Sequence, residues 1–150
     1  MKELEILTKS DKETKKIGAI LAKEIIKNRF KTATVLSLEG DLGVGKTTFT
    51  QGFAKGLGVK EIPKSPTFVI MQAYSVKHKA RSVERLIHID AYRLASKDFK
   101  VLGWEEFIKN KNNIILVEWG NKIKNILPKN FLRIVFEHIS PSQRLIKVVK

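Results

Sequence analysis

The chain has no cysteine, which removes disulfide frameworks and thiolate-bound zinc from consideration and is in keeping with a reducing compartment. It lacks any window close to the roughly eighteen apolar residues of a membrane-spanning helix. Its opening residues, MKELEILTKSDKETKK, carry no apolar core of a signal peptide, so a soluble, cytoplasmic protein with no membrane partner is expected. Proline is sparse, and no repeat, low-complexity tract or linker divides the chain. Its 150 residues suit one domain with a sizeable core, and not two.

Acidic residues are also in short supply. There are 15 Asp and Glu against 29 Lys and Arg, for a formal net charge of +14. Such a charge favours encounters with nucleic acid, acidic proteins or anionic membranes. Lysine greatly outnumbers arginine, however, and arginine is the better residue for bidentate phosphate or base contacts. Many lysines sit in polar stretches such as KNKNN and NKIKN, as on any solvated surface. The charge alone selects no partner.

What is present is an alternation of strand-like and helix-like segments. LEILTK (4–9) reads as a strand, and Ser10 to Glu13 form an S-x-x-E capping box that opens a helix to about Asn28. TVLSLE (34–39) is the next strand, followed by a glycine loop and a helix from Lys46 to Leu57 that ends at Gly58. TFVIMQAYSV (67–76) and VERLIHID (83–90) read as a hairpin with KHKARS at its tip. WEEFIKN (104–110) reads as a short helix, IILVE (114–118) as a buried central strand, and FLRIVFEHI and RLIKVV as edge or antiparallel strands. The pattern is α/β: a three-layer sandwich around a mixed, largely parallel sheet with some antiparallel strands.

The informative stretch is Gly40-Asp41-Leu42-Gly43-Val44-Gly45-Lys46-Thr47, which matches G-x-x-x-x-G-K-[ST]. Glycines let the backbone approach a phosphate without a Cβ in the way. The amides of the loop and of the following helix then form a concave anion site. Lys46 is placed to reach the β- and γ-phosphates and the Thr47 hydroxyl to hold Mg²⁺. A chain of this length matches by chance about once in two hundred, and here the match lies between a strand and a helix. It is read as a P-loop.

A P-loop needs an acid at the end of another strand to hold the metal or a water. Asp90 ends RLIHID and Glu118 ends IILVE, and both are candidates; the sequence leaves open which binds Mg²⁺ and which orients water. Ser65-Pro66-Thr67-Phe68 lies where switch proteins place a γ-phosphate-sensing threonine, although a proline-bearing lead into a strand fits equally well. His78 and His88 have no second ligand at metal spacing. Trp104 and Trp119 fit ordinary packing, with Trp119 of interest because it follows Glu118.

With these residues in view, the chain resembles a known family, the bacterial ATPase of tRNA threonylcarbamoyladenosine synthesis often called TsaE. The likeness covers nearly the whole chain. It rests on T-x-S-x-x-E-T-x-x-I-G (Thr8 to Gly18), GDLGVGKTTFTQG, SPTF, HIDAYRL, LGWEEF and EWG followed by LP. The P-loop is shared with many families, whereas the ordered set SPTF, H-x-D-x-Y-R-L and E-W-G is highly specific.

The resemblance implies a compact P-loop fold, weak ATPase activity using ATP and Mg²⁺, and work inside a complex. The partners it implies are the threonylcarbamoyl-transferase subunit and its inactive paralogue, with tRNA met through the complex. That complex modifies the adenosine beside the anticodon of tRNAs reading codons that begin with A. The ATPase is thought to reset or remodel the transferase, not to transfer the group itself. Carried onto this sequence, Asp41, Leu42, Gly43, Val44, Gly45, Lys46, Thr47 and Thr48 would line the nucleotide. Thr47 and Glu118 would coordinate Mg²⁺, with Asp90 the second acid and Thr67 the sensor-like threonine. Trp119 gains functional weight from the E-W pair. Ser10 and Asp11 would lie near the adenine and Arg144 near the nucleotide. Ala73 departs from the family, many of whose members have an acid before the tyrosine, and the KHKARS tip is long and basic. Two rivals remain at this stage. One is a small P-loop kinase, although no arginine-rich lid follows Arg93. The other is a nucleotide-dependent binding switch whose hydrolysis is incidental.

Overall fold

A computed structural model describes residues 3–28, 31–41, 43, 45–64, 66, 70–76 and 83–150 of the chain. Seven strands form one sheet: β1 (Glu3–Thr8), β2 (Thr34–Glu39), β3 (Met71–Ser75), β4 (Arg85–Asp90), β5 (Asn113–Glu118), β6 (Leu132–His138) and β7 (Arg144–Val149). Their order is β1-β7-β6-β2-β5-β4-β3. The middle pairs, β6 with β2, β2 with β5, and β5 with β4, are parallel, while β1–β7, β6–β7 and β3–β4 are antiparallel. This is the expected mixed sheet. β2 and β5 are buried at every residue, as strands covered on both faces must be.

Alternate residues of the central strands serve two cores. Leu36, Leu38, Leu86, Ile114 and Leu116 pack on one face with Phe49, Phe53 and Ala22. These last come from helices α1 (Asp11–Lys27) and α2 (Lys46–Leu57). Val35, Ile87, Ile89, Ile115 and Val117 pack on the other face with Phe99 and Trp104, from the short helices α3 (Asp98–Leu102) and α4 (Trp104–Lys109). A kinked 3₁₀ segment, Gly120–Ile126, adds Ile123 to that second core. Helix α1 lies tightly on α2. A Cβ on Gly52 would stand 2.0 Å from the Lys15 carbonyl oxygen, so the small residue sets the spacing of the two helices.

Several expectations shift in detail. FLRIVFEHI and RLIKVV, expected as edge or antiparallel strands, do pair antiparallel with each other, but neither is an edge, and β6 is also parallel to β2. The edges of the sheet are β1 and β3. In the first arm of the hairpin the strand begins at Met71, after Ile70 adopts a φ of 69°, a strained value for a β-branched side chain. Residues 67–69 of that arm and the KHKARS tip lie outside the described residues. Helix α3 and the 3₁₀ segment were not expected.

Candidate nucleotide site at the carboxyl ends of the parallel strands

Helices α1 and α2 begin in opposite ways. At the start of α1, Ser10 Oγ accepts from the Glu13 amide at 3.1 Å, Glu13 Oε1 accepts from the Lys9 amide, and Asp11 and Glu13 occupy the first turn. Its free amides and its dipole are thus partly satisfied from within. Helix α2 starts at Gly45, with φ 98°, no side-chain cap and no acid in its first turn. Its positive end is left for an anion. Gly40 and Gly43 also have positive φ, 144° and 79°, so the loop runs through backbone conformations that glycine adopts without a Cβ penalty.

Lys46 is 4% exposed. Its Nζ donates to the Gly40 carbonyl at 2.6 Å and lies 4.1 Å from the centroid of the Trp119 ring. Burial pushes the ammonium below the ordinary lysine value, while the negative charges of Glu118, Asp90 and Asp41 pull it back up. A phosphate would supply the missing negative charge. Thr47 and Thr48 follow, both half-buried.

The two strand-end acids stand side by side. Asp90 is in register with Glu118 across the parallel β4–β5 pair, and they are 7% and 5% exposed. Asp90 Oδ1 accepts from the Tyr92 amide at 2.9 Å, and the Asp90 amide donates to the Ile70 carbonyl at 2.8 Å. Glu118 meets His88, with Oε2 to Nε2 at 2.8 Å. The two atoms are in contact, yet neither counts a hydrogen-bond partner among the described residues. Trp119 turns left-handed immediately afterwards, with φ 62° and ψ 33°, and its amide donates to the Leu38 carbonyl at 2.9 Å. That turn ties the end of β5 to the end of β2, from which the glycine loop departs.

Two further groups brace the loop. Arg133 makes a forked contact with Glu39, Nη2 to Oε1 at 2.9 Å and Nε to Oε2 at 3.1 Å, and Ser37 Oγ donates to the same carboxylate at 3.0 Å. Arg144 lies against Gly45, where a Cβ would stand 2.7 Å from its Cδ. The Arg144 guanidinium binds Asp11 Oδ1 at 2.6 Å and Thr14 Oγ1 at 3.1 Å.

The fold therefore brings Asp41, Gly43, Gly45, Lys46, Thr47, Asp90, Glu118 and Trp119 to one edge of the sheet, with Asp11 and Arg144 beside Gly45. Ser10 is nearby, but its hydroxyl is engaged in capping α1. Leu42, Val44 and Thr67 lie outside the described residues. His88 was weighed in the sequence only as a metal ligand and set aside, and its contact with Glu118 was not foreseen. The available signal was its place two residues before Asp90, on the same face of the same strand. Glu39 and Arg133 were also missed, since their pairing depends on the β2–β6 contact.

The donor set fits a magnesium–nucleotide. Thr47, Asp90 and Glu118 offer hard oxygens, and Mg²⁺ commonly takes only one or two of these from protein and the remainder from phosphate and water. Glu118 Oε2 is a buried oxygen with no hydrogen-bond partner among the described residues. No group of three or more His, Asp or Glu able to cage a metal occurs among the described residues.

A glycine loop between a parallel strand and an uncapped helix, with a lysine at its head, places the molecule in the class of P-loop NTPase-like folds. Among solved structures, a crystal structure titled YdiB, from Bacillus subtilis, matches with a TM-score of 0.76 and 37% identity over 98% of this chain and 84% of that one. The model of the threonylcarbamoyl adenosine biosynthesis protein TsaE family matches residues 8–146. A Bacillus subtilis (strain 168) protein named tRNA threonylcarbamoyladenosine biosynthesis protein TsaE is 40% identical over 144 residues, 96% of this chain and 84% of its own. A Treponema pallidum (strain Nichols) protein of the same name is 30% identical over 143 residues, 95% and 97% of the two chains. The chain belongs to the TsaE family, which is involved in tRNA threonylcarbamoyladenosine biosynthesis.

Proposed function

We propose that the chain is the ATP-binding and weakly ATP-hydrolysing subunit of the cytoplasmic complex that forms N6-threonylcarbamoyladenosine next to the anticodon of tRNAs reading codons beginning with A. Its partners there are the threonylcarbamoyl-transferase subunit and its inactive paralogue. Its role is to reset or remodel the transferase, not to carry the group. The observation that supports this best is the convergence of buried Lys46, Asp90 and Glu118 on one strand edge beside an uncapped helix start.

In this reading the amides of Gly43, Gly45, Lys46 and Thr47 bind and orient the phosphates, and Lys46 leaves the Gly40 carbonyl to donate to them. Thr47 and one of the two acids hold Mg²⁺, and the other acid accepts a hydrogen bond from the attacking water. When bound, Mg²⁺ neutralises phosphate charge and polarises the bond that breaks. Asp90 is held by the Tyr92 amide, so its carboxylate reaches the reaction already aimed. Lys46 must exchange two existing interactions, with Gly40 and Trp119, for those with phosphate. That exchange favours slow turnover by the isolated chain and faster turnover once a partner covers the site.

The test is multi-turnover tRNA threonylcarbamoylation reconstituted with wild type, with Lys46→Ala, or without the chain. Stimulation by wild type alone supports the role. No stimulation despite measurable ATP binding overturns it and returns the molecule to a kinase or a binding switch.

A further inference from the structure

His88 is fully buried and takes no part in the scheme above. Of the five buried side-chain polar atoms without a hydrogen-bond partner among the described residues, three belong to His88 and Glu118: both ring nitrogens and Oε2. Leaving such groups unmet is destabilising, and their retention at a site calls for a reason. Both side chains project to the face that carries Leu86 and Leu116. Because Asp90 is in register with Glu118, His88 is the diagonal neighbour of Glu118, within reach of a long side chain. The contact, Nε2 to Oε2 at 2.8 Å, is already at hydrogen-bond length.

Asp90 needs no such help, since the Tyr92 amide fixes it. Glu118 is one methylene longer and has no equivalent anchor among the described residues. We propose that His88 is a positioning residue: its Nε2–H holds one oxygen of Glu118 and so presents the other to the divalent cation of the nucleotide site. This rests on the reading of Glu118 as an acid of that site. A purely space-filling role would be served equally well by an apolar side chain among Leu86 and Leu116.

The experiment is calorimetric binding of a non-hydrolysable ATP analogue to the full chain, with Mg²⁺ and with EDTA, in wild type, His88→Leu, His88→Gln and Glu118→Gln. Melting curves verify folding, and His88→Met replaces the leucine variant if that one does not fold. His88→Leu is expected to weaken binding about tenfold with Mg²⁺, the equivalent of about 1.4 kcal/mol, and to leave binding in EDTA unchanged. His88→Gln, which keeps an N–H donor, is expected to restore most of the loss. Unchanged Mg²⁺-dependent affinity in His88→Leu, or equal damage in His88→Gln, overturns the proposal while Glu118→Gln remains impaired. If Glu118→Gln itself binds the Mg²⁺ complex normally, the assignment of Glu118 is wrong and His88 falls with it.

Discussion

Lys46 directs its ammonium at the face of Trp119, 4.1 Å from the ring centroid, while the same nitrogen donates to the Gly40 carbonyl. Tyr92 packs against the indole with ring centroids 5.1 Å apart, and Lys122 sits over Tyr92 at 4.1 Å. The loop after β4, the end of β5 and the glycine loop are thus linked through one stack of two rings with a lysine at each end. Drawing Lys46 onto a phosphate removes the cation from the indole. Saturating ATP is therefore expected to change Trp119 fluorescence in a Trp104→Phe background and to leave no signal in Trp119→Phe. A silent Trp104→Phe protein that still binds ATP by calorimetry would show that the stack survives binding.

The depressed pKa of Lys46 carries a stability consequence. Burial lowers it first, with Glu118, Asp90 and Asp41 opposing, so the folded state disfavours the charged form. At neutral pH the lysine is protonated in the unfolded chain, and folding must bury that charge. As pH rises from the depressed folded value to the unfolded one, the unfolded state binds more protons and stability increases. Replacing the lysine by an apolar chain of similar length removes this liability. Lys46→Met is expected to melt higher, while losing nucleotide binding. A lower melting temperature in nucleotide-free buffer would show that the Gly40 and Trp119 contacts outweigh the burial cost.

Much of this site was legible before any coordinates. β2 and α2 run from Thr34 to Glu39 and from Lys46 to Leu57, as the apolar run, the glycine loop and the stop at Gly58 indicated. These are local signals, set by periodicity and by glycine. The position of the acids at the ends of RLIHID and IILVE was legible too, because each closes an apolar, β-branched run. What escaped depends on register. The His88–Glu118 contact exists only because β4 and β5 pair in parallel with Asp90 opposite Glu118. Arg133 reaches Glu39 only because β6 lies beside β2. The left-handed backbone of Trp119 has no propensity signal at all, since an aromatic residue seldom adopts it.

That left-handed turn is followed by a residue with no room for a side chain. A Cβ on Gly120 would stand 2.1 Å from Ser37 Oγ, 2.7 Å from its Cβ and 3.2 Å from its Cα. Rotating the hydroxyl cannot relieve the contact with Cβ, so the 118–120 turn would have to move away from β2. Gly120→Ala is expected to cost about 1–3 kcal/mol of stability, as overpacking does. It should also weaken ATP binding through displacement of Glu118 and Trp119. Ser37→Gly in the same chain should recover part of both losses, and denaturant midpoints with binding isotherms measure them. Full stability in Gly120→Ala alone would mean that β2 yields easily at this point.

Part of the surplus positive charge is gathered in one place. Lys12, Lys15, Lys16, Lys55 and Lys60 line a groove across α1 and α2, with Glu61 the one acid among its lining residues. None of these lysines forms an ion pair among the described residues. Unpaired lysines of this kind contribute to association with a polyanion through counterion release, which makes the affinity steeply salt-dependent. Binding to the tRNA-bearing complex is expected to weaken at least about tenfold between ~50 and ~200 mM salt. Lys15→Glu with Lys55→Glu should weaken it further and flatten the slope, while leaving ATP affinity unchanged, because none of Lys46, Thr47, Asp90 and Glu118 lines the groove. A salt slope identical in the double variant would move the electrostatic contact elsewhere on the surface. An affinity flat with salt in wild type would remove charge as a term in the association and leave shape and apolar contact to account for it.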